Sequence, residues 1–364
     1  MMVIFYILLT INLFFLVIAF INLFFAPRIS AHQMERAGCP LVSVLIPARN
    51  EAENIAFLLE DLCKQHYSTL EILVYDDLSE DATAQIVRGF ERLDSRIRLI
   101  EGSELKSGWS GKQYGCHQLA LQAQGSYFLF LDADVRIMPE LVDSVVLNME
   151  KFDLDLMSAF PTQVMQSEGE KIVVPIMMTI LLTLLPLSLV AENNHSSLAA
   201  ANGQMMCFNR SCYKRNLFHE LFKASRVEDI SIIRYMKEKE MRVACYLGAK
   251  LISCRMYRNY RDAIKGFSKN LIHFFGGSYT ASFIYWLIFY ASPFSLLLIG
   301  QFFLFFVLFS IQLIALILVA VCCNNKVADY LLWFPIRIFS FLQIWGRSLK
   351  RRKDRKEEWK GRRI

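Results

Sequence analysis

Two stretches of the chain carry no charge at all, residues 2–26 and 274–325, and between them short apolar runs alternate with amphipathic ones. The run from Met2 to Phe25 is long enough for a bilayer-spanning helix, which needs about 20 residues. It has no basic leader and no A-x-A site, so residues 1–27 are expected to be an uncleaved anchor. Thr280 to Cys323 has room for two spans with a tight turn near Gly300 and Gln301, and residues 280–323 are read that way. Val327 to Gly346 is also apolar, but Asp329, Pro335 and Arg337 interrupt it, and Trp333 and Trp345 suit the headgroup region. It is expected to lie in the interface, with a third span as the alternative. Ile172 to Val190 could cross by length, yet a single crossing would separate the polar motifs on either side of it. An interfacial or partly re-entrant segment is the simpler expectation.

Within residues 40–275 the apolar pattern is that of βα units. Strand-like runs at Leu41 to Ile46, Leu70 to Tyr75, Ile97 to Ile100 and Tyr127 to Leu131 alternate with amphipathic stretches. Those stretches cover Glu53 to Tyr67, Asp81 to Leu93, Lys112 to Gln124 and Pro139 to Met149. Such repetition predicts a mostly parallel sheet with helices on both faces, whose ligands bind beyond the C-terminal strand ends.

Three polar clusters fall at those ends: Pro47-Ala48-Arg49-Asn50-Glu51, Asp76-Asp77-Leu78-Ser79-Glu80-Asp81, and Asp132-Ala133-Asp134. Two carboxylates spaced as Asp132 and Asp134 can reach one hard divalent cation, which can bridge a diphosphate. Asp76 and Asp77 follow the second strand, where carboxylates bind ribose or base, while Ser79 and Asp81 suit helix capping. Arg49 and Glu51 either contact ligand or pair with each other. Gly108-Trp109-Ser110-Gly111-Lys112 is a loop whose lysine opens a helix, a diphosphate contact by position. Ser225-Arg226-Val227-Glu228 reads equally as a capping box and as the approach to a functional Glu228-Asp229 pair, in which Asp229 could serve as general base. Neither a Walker sequence nor G-x-G-x-x-G occurs, which argues against an ATPase or a dinucleotide oxidoreductase.

Composition sharpens the membrane reading, because 54% of the 364 residues are apolar, with 29 Phe. The mean hydropathy is +0.33. Net charge is +6, but Arg347 to Ile364 holds ten Lys/Arg against Asp354, Glu357 and Glu358, a +7 tail that leaves about −1 elsewhere. A basic tail (residues 347–364) beside apolar segments points to anionic lipid rather than nucleic acid. Arg28 and Arg36, after the first span, place the following domain in the cytosol. Nine cysteines with no C-x-x-C pair argue against zinc and against a disulfide framework.

Taken in order, Val42-Ser43-Val44-Leu45-Ile46-Pro47-Ala48-Arg49-Asn50-Glu51, Asp76-Asp77-x-Ser79-x-Asp81, Trp109-Ser110-Gly111-Lys112, Asp132-Ala133-Asp134 and Glu228-Asp229 resemble the membrane-associated family 2 glycosyltransferases. That resemblance implies the GT-A fold, an α/β doubly wound mixed sheet, here with flanking transmembrane helices. It implies a nucleotide-sugar donor, a UDP-hexose with glucose first, near Pro47, Arg49, Glu51, Asp76 and Asp77. Lys112 and Glu228 join the substrate-binding set. Asp132 and Asp134 would hold Mg2+ or Mn2+, and Asp229 would be the base.

Trp109-Ser110-Gly111-Lys112, Arg255-Met256-Tyr257 with Gly266-Phe267-Ser268-Lys269, and Glu358-Trp359-Lys360-Gly361-Arg362 look like the bacterial carotenoid-type enzymes, the 4,4'-diaponeurosporenoate glycosyltransferases. Leu78 stands where the family usually has Gly. The Q-x-x-R-W of processive synthases is absent. The expectation is an inverting, non-processive transferase acting on a membrane lipid acceptor of carotenoid type, on the cytosolic face of the cell membrane. Polyprenyl phosphate, diacylglycerol, ceramide and hopanoid-like lipids are alternative acceptors, and a non-catalytic scaffold is the alternative of another class.

Overall fold

The computed structural model describes residues 2–32, 38–225, 227–354, 358–359 and 362–363. The side chains of the closing Glu358-to-Arg362 motif, and Arg226 of the expected capping box, lie outside the described residues. The chain forms two compact units.

The first comprises Pro27–Thr162, Leu189–Cys254 and Glu357–Ile364. Its strands are β1 (Val42–Ala48), β2 (Leu70–Asp76), β3 (Ile97–Glu101), β4 (Tyr127–Leu131), β5 (Val135–Ile137), β6 (Leu156–Phe160), the two-residue β7 (Thr162–Gln163), β8 (Met205–Asn209), β9 (Val243–Leu247) and β10 (Ile252–Cys254). Seven of them make one sheet in the order β3-β2-β1-β4-β8-β6-β9. β1 lies parallel to both β2 and β4, whereas β8 runs antiparallel to β4 and β6. The sheet is therefore mixed α/β.

Burial explains the strand composition. β1 and β2 sit in the middle of parallel pairs with both faces covered, so they read as unbroken apolar runs: Val44, Leu45, Ile46, Ile72 and Val74 have no exposed surface. Helices Ile55–Cys63, Thr83–Leu93 and Gly111–Gln122 supply the connections between the first four strands. Ser110 starts the last of these by accepting a hydrogen bond from the Gln113 N–H. β5 pairs antiparallel with β10, which fastens the chain just after Asp134 to the segment after β9.

The second unit comprises Met1–Ala26, Gln163–Ser188 and Arg255–Lys356. Among the described residues three helices are long and apolar enough to cross a membrane: Met2–Phe25, Tyr279–Leu298 and Phe302–Cys322. The middle one contains a π-helical stretch, Leu287–Ala291, ahead of Pro293. Proline has no N–H to give to the carbonyl five residues back, so the Ile288 oxygen takes side-chain donors instead. Asn12 Nδ2 and Gln312 Nε2 each lie 3.5 Å from it, and Gln312 Nε2 also donates to Asn12 Oδ1 at 3.1 Å. Asn22 satisfies its whole amide on another segment, donating to the Leu182 and Leu185 carbonyls and accepting from the Leu187 N–H.

Pro175–Leu184 has ten residues, which is about 15 Å of helix against a hydrocarbon core of about 30 Å. It packs against Met2–Phe25 and is buried on several sides, from Ile176 and Met178 round to Thr183. The stretch read as 327–346 divides at Trp333 into Val327–Leu332 and Phe334–Asp354, the second helix continuing past residue 346 into the basic tail. Arg337 accounts for the charge inside that apolar sequence. It is fully buried and donates to the carbonyls of Lys171, Ile172, Asp329 and Tyr330, the open ends of two short helices.

Candidate active site

The C-terminal ends of β1, β2 and β4 lie side by side in the sheet, with Ala48 in register with Asp76. Arg49, 5% exposed, turns its guanidinium over the β2 end and donates to the carbonyls of Asp77 at 2.5 Å and Leu78 at 3.0 Å. It also lies 3.5 Å from Glu80. Asp76 accepts from the Ser79 N–H through Oδ2, while its buried Oδ1 has no hydrogen-bond partner among the described residues. A buried carboxylate oxygen left in this way suits a donor group on a ligand. Asp77 is buried beside it.

The neighbouring loop residues have structural work. Glu51 accepts from Asn54 Nδ2 at 2.8 Å, and its own N–H donates to Thr83 Oγ1. Asp81 accepts the Thr83 and Ala52 N–H groups, and Ser79 accepts that of Asn50. Pro47 lies within β1 opposite Tyr75. Leu78 adopts φ 51°, a left-handed conformation that glycine takes without strain.

A second constellation forms at the end of β4. Lys112, the second residue of its helix, places Nζ 2.8 Å from Asp132 Oδ1 and 3.1 Å from Oδ2. The same ammonium lies 3.2 Å from Glu228 Oε1 and donates to the Gly203 carbonyl at 3.2 Å. Burial acts to lower the Lys112 pKa, but the Asp132 and Glu228 charges outweigh it and hold the pKa well above the ordinary lysine value.

Helix Glu228–Glu238 begins without a side-chain cap, and Val227 is its N-cap residue. The capping-box reading of Glu228 is thus replaced: its carboxylate faces Lys112, while Ser225 Oγ pairs with Ser231 Oγ. Asp229 accepts from the Gly203 N–H at 3.0 Å through Oδ2 and from the Ile230 N–H at 2.8 Å through Oδ1. Burial, then the Glu228 charge, push its pKa up to about 7. Asp134 stands at the start of the β5 turn, against Cys254, whose thiol burial and the Asp134 charge push up.

Gly203 is the residue that sequence reasoning missed. Its carbonyl accepts from Lys112 and its N–H donates to Asp229, and a Cβ there would stand 3.2 Å from both Glu228 Oε1 and Lys112 Nζ. The only sequence sign is an Asn202-Gly203 turn dipeptide ahead of β8.

Asp132 and Asp134 offer hard oxygen donors, and Lys112 shows that the Asp132 carboxylate accepts a cation. Among the described residues no group of three or more His, Cys, Asp or Glu could hold a metal ion. A divalent cation here would complete its shell with phosphate oxygens and water, which suits Mg2+ or Mn2+.

The family model described as "Glycosyl transferase family 2" matches residues 43–222. The chain is 26% identical over 239 residues to the 4,4'-diaponeurosporenoate glycosyltransferase of Staphylococcus haemolyticus, covering 63% of this chain and 60% of the relative. Its namesake in Staphylococcus aureus (strain USA300) is 23% identical over 243 residues, covering 65% and 62%. The chain thus spans less than two thirds of the length of these curated relatives. A solved mannosyltransferase, PcManGT from Pyrobaculum calidifontis in complex with GDP-Man and Mn2+, shares the fold at a TM-score of 0.58 and 15% identity, covering 96% of each chain.

Proposed function

From the premise that residues 43–222 are a glycosyl transferase family 2 domain, we propose that the protein moves a hexose from a nucleoside diphosphate sugar to a membrane lipid by an inverting, non-processive reaction. The observation that carries this reading is the meeting of Lys112, Asp132, Glu228 and Asp229 around the Gly203 peptide at the end of β4.

Arg49, Asp76 and Asp77, with Pro47 near the end of β1 and Glu51 in the loop after it, receive the nucleoside. Asp132 and Asp134 would hold a divalent cation, which would neutralise charge on the diphosphate leaving group. Asp229, its two oxygens fixed by backbone N–H groups, takes the proton of an acceptor hydroxyl. The acceptor oxygen bonds to the anomeric carbon from the face opposite the diphosphate, the bond from that carbon to the phosphate oxygen breaks, and the nucleoside diphosphate departs. A base whose pKa lies near the working pH suits this step.

The relatives' names favour a carotenoid acid as acceptor, and UDP-glucose is a first donor to try. Such a carboxylate is already ionised near neutrality and attacks without a base. Three apolar helices able to span a bilayer, with Arg28 beyond the first of them, support a multi-pass protein whose catalytic sheet faces the cytosol. The Arg347-to-Ile364 tail then meets anionic lipid. The test is transfer of radiolabelled glucose or mannose from UDP or GDP donors to lipid extract by the purified full chain. Label in the lipid phase that EDTA abolishes is expected. Absence of both transfer and donor hydrolysis with every donor would refute the proposal.

A further inference from the structure

The strand-end carboxylates already have a cation of the protein's own beside them. Lys112 Nζ spans both oxygens of Asp132 at 2.8 and 3.1 Å, and Glu228 lies at 3.2 Å. A divalent cation binds carboxylate oxygens at about 2.0–2.6 Å and takes the same lone pairs. Two positive charges against one carboxylate repel, so an ammonium seated there opposes metal entry. A diphosphate changes the balance, because it offers the ammonium phosphate oxygens and the cation further ligands at once.

Resting on the glycosyl-transfer reading above, we propose that Lys112 and the divalent cation compete for Asp132, and that the nucleoside diphosphate resolves the competition by drawing the ammonium onto its phosphate oxygens. Lys112 thereby makes metal binding conditional on the nucleotide and acts as a specificity residue of the donor site. Two features fit that role. Glu228 is a second carboxylate that keeps the ammonium in the site once it leaves Asp132. Gly203 leaves open the space beside Nζ that a Cβ would fill at 3.2 Å.

The test separates metal from nucleotide. Mn2+ binding to the full-length protein in lipid nanodiscs is followed through the resonance of the free ion, first with Mn2+ alone. Lys112→Gln is expected to bind Mn2+ about tenfold more tightly than the parent, and Lys112→Arg to stay near it. Adding Asp132→Asn to Lys112→Gln should abolish the gain.

In the second arm UDP and GDP are titrated at saturating Mn2+, and Lys112→Gln should bind the nucleotide about tenfold more weakly. A misfolded variant would lose both affinities, whereas competition moves them in opposite directions. Unchanged or weaker Mn2+ binding in Lys112→Gln, a gain that survives Asp132→Asn, or undiminished nucleotide binding would each overturn the proposal. If the parent binds neither nucleotide with Mn2+, the donor-site reading falls, and the Mn2+-only comparison still decides the role of Lys112.

Discussion

Leu78 holds a left-handed backbone at φ 51° with 42% of its surface exposed. A non-glycine residue in that conformation costs about 1 kcal/mol or more, and little packing would be lost with its side chain. Leu78→Gly is therefore expected to raise the unfolding free energy by about 1 kcal/mol, measured by denaturant titration. The reverse holds at Gly203, where Gly203→Ala should leave stability nearly intact but lower transfer sharply, because the new Cβ displaces Lys112 or Glu228. Near-parental turnover in that variant would show that the tight fit at Gly203 has no bearing on activity.

Asp132→Asn and Asp134→Asn keep shape and remove charge, so the protein should still fold while transfer falls by orders of magnitude. For Asp229→Asn the acceptor decides the outcome. A hydroxyl acceptor predicts a loss of about 10²-fold or more, and an ionised carboxylic acid a much smaller one. With a hydroxyl, kcat/KM should rise with pH along a limb displaced above the ordinary carboxylate range, since burial raises the Asp229 pKa. Asp132, Lys112 and Asp229 were legible as strand-end and helix-start polar residues. Gly203 was not, because what it contributes is a backbone N–H, a carbonyl and an absent methyl.

At the scale of elements, β1, β2 and β4 were readable because strands buried on both faces are written as apolar runs, and β3, at the sheet edge, by its place in the alternation with helices. β6 and β8 escaped because a segment belonging to the other unit interrupts the chain between them, and β9 follows that break. The short helix Glu168–Val173 opens that segment. Its capping box puts the Glu170 carboxylate on Ser167, and Arg255 donates to both Glu170 oxygens, at 2.8 and 3.1 Å. Arg255-Met256-Tyr257 and Gly266 thus have structural work, since a Cβ at Gly266 would collide with the Tyr257 ring.

Although burial opposes its charge, the Arg255 and Ser167 hydrogen bonds bring the Glu170 pKa down to about 2. A carboxylate depressed on folding contributes stability that is fully present above its unfolded value, near 4.5, and is lost as pH falls towards 2. The contribution is roughly 3 kcal/mol. Arg255→Met should lower stability at neutral pH by about this amount and flatten the acid limb of the stability profile, as read by thermal unfolding between those pH values.

For the whole molecule, the proposed topology puts both the sheet unit and the basic tail in the cytosol, so a fusion reporter at Ile364 should be active only on that side. Activity on the outer side would make Val327 to Gly346 a further span, the fourth. The apolar lengths that suggest crossing were plain in the sequence, but the partners of Asn12 and Asn22 were not, since they depend on contacts far along the chain. Asn12 and Gln312 are 300 positions apart. Translation runs at about 5–20 residues per second, so roughly 15–60 s separate the synthesis of one partner from that of the other. Throughout that interval the first helix carries an amide whose final partner does not yet exist, and slowing elongation beyond Cys254 should lengthen the window in which quality-control proteases can remove the nascent chain.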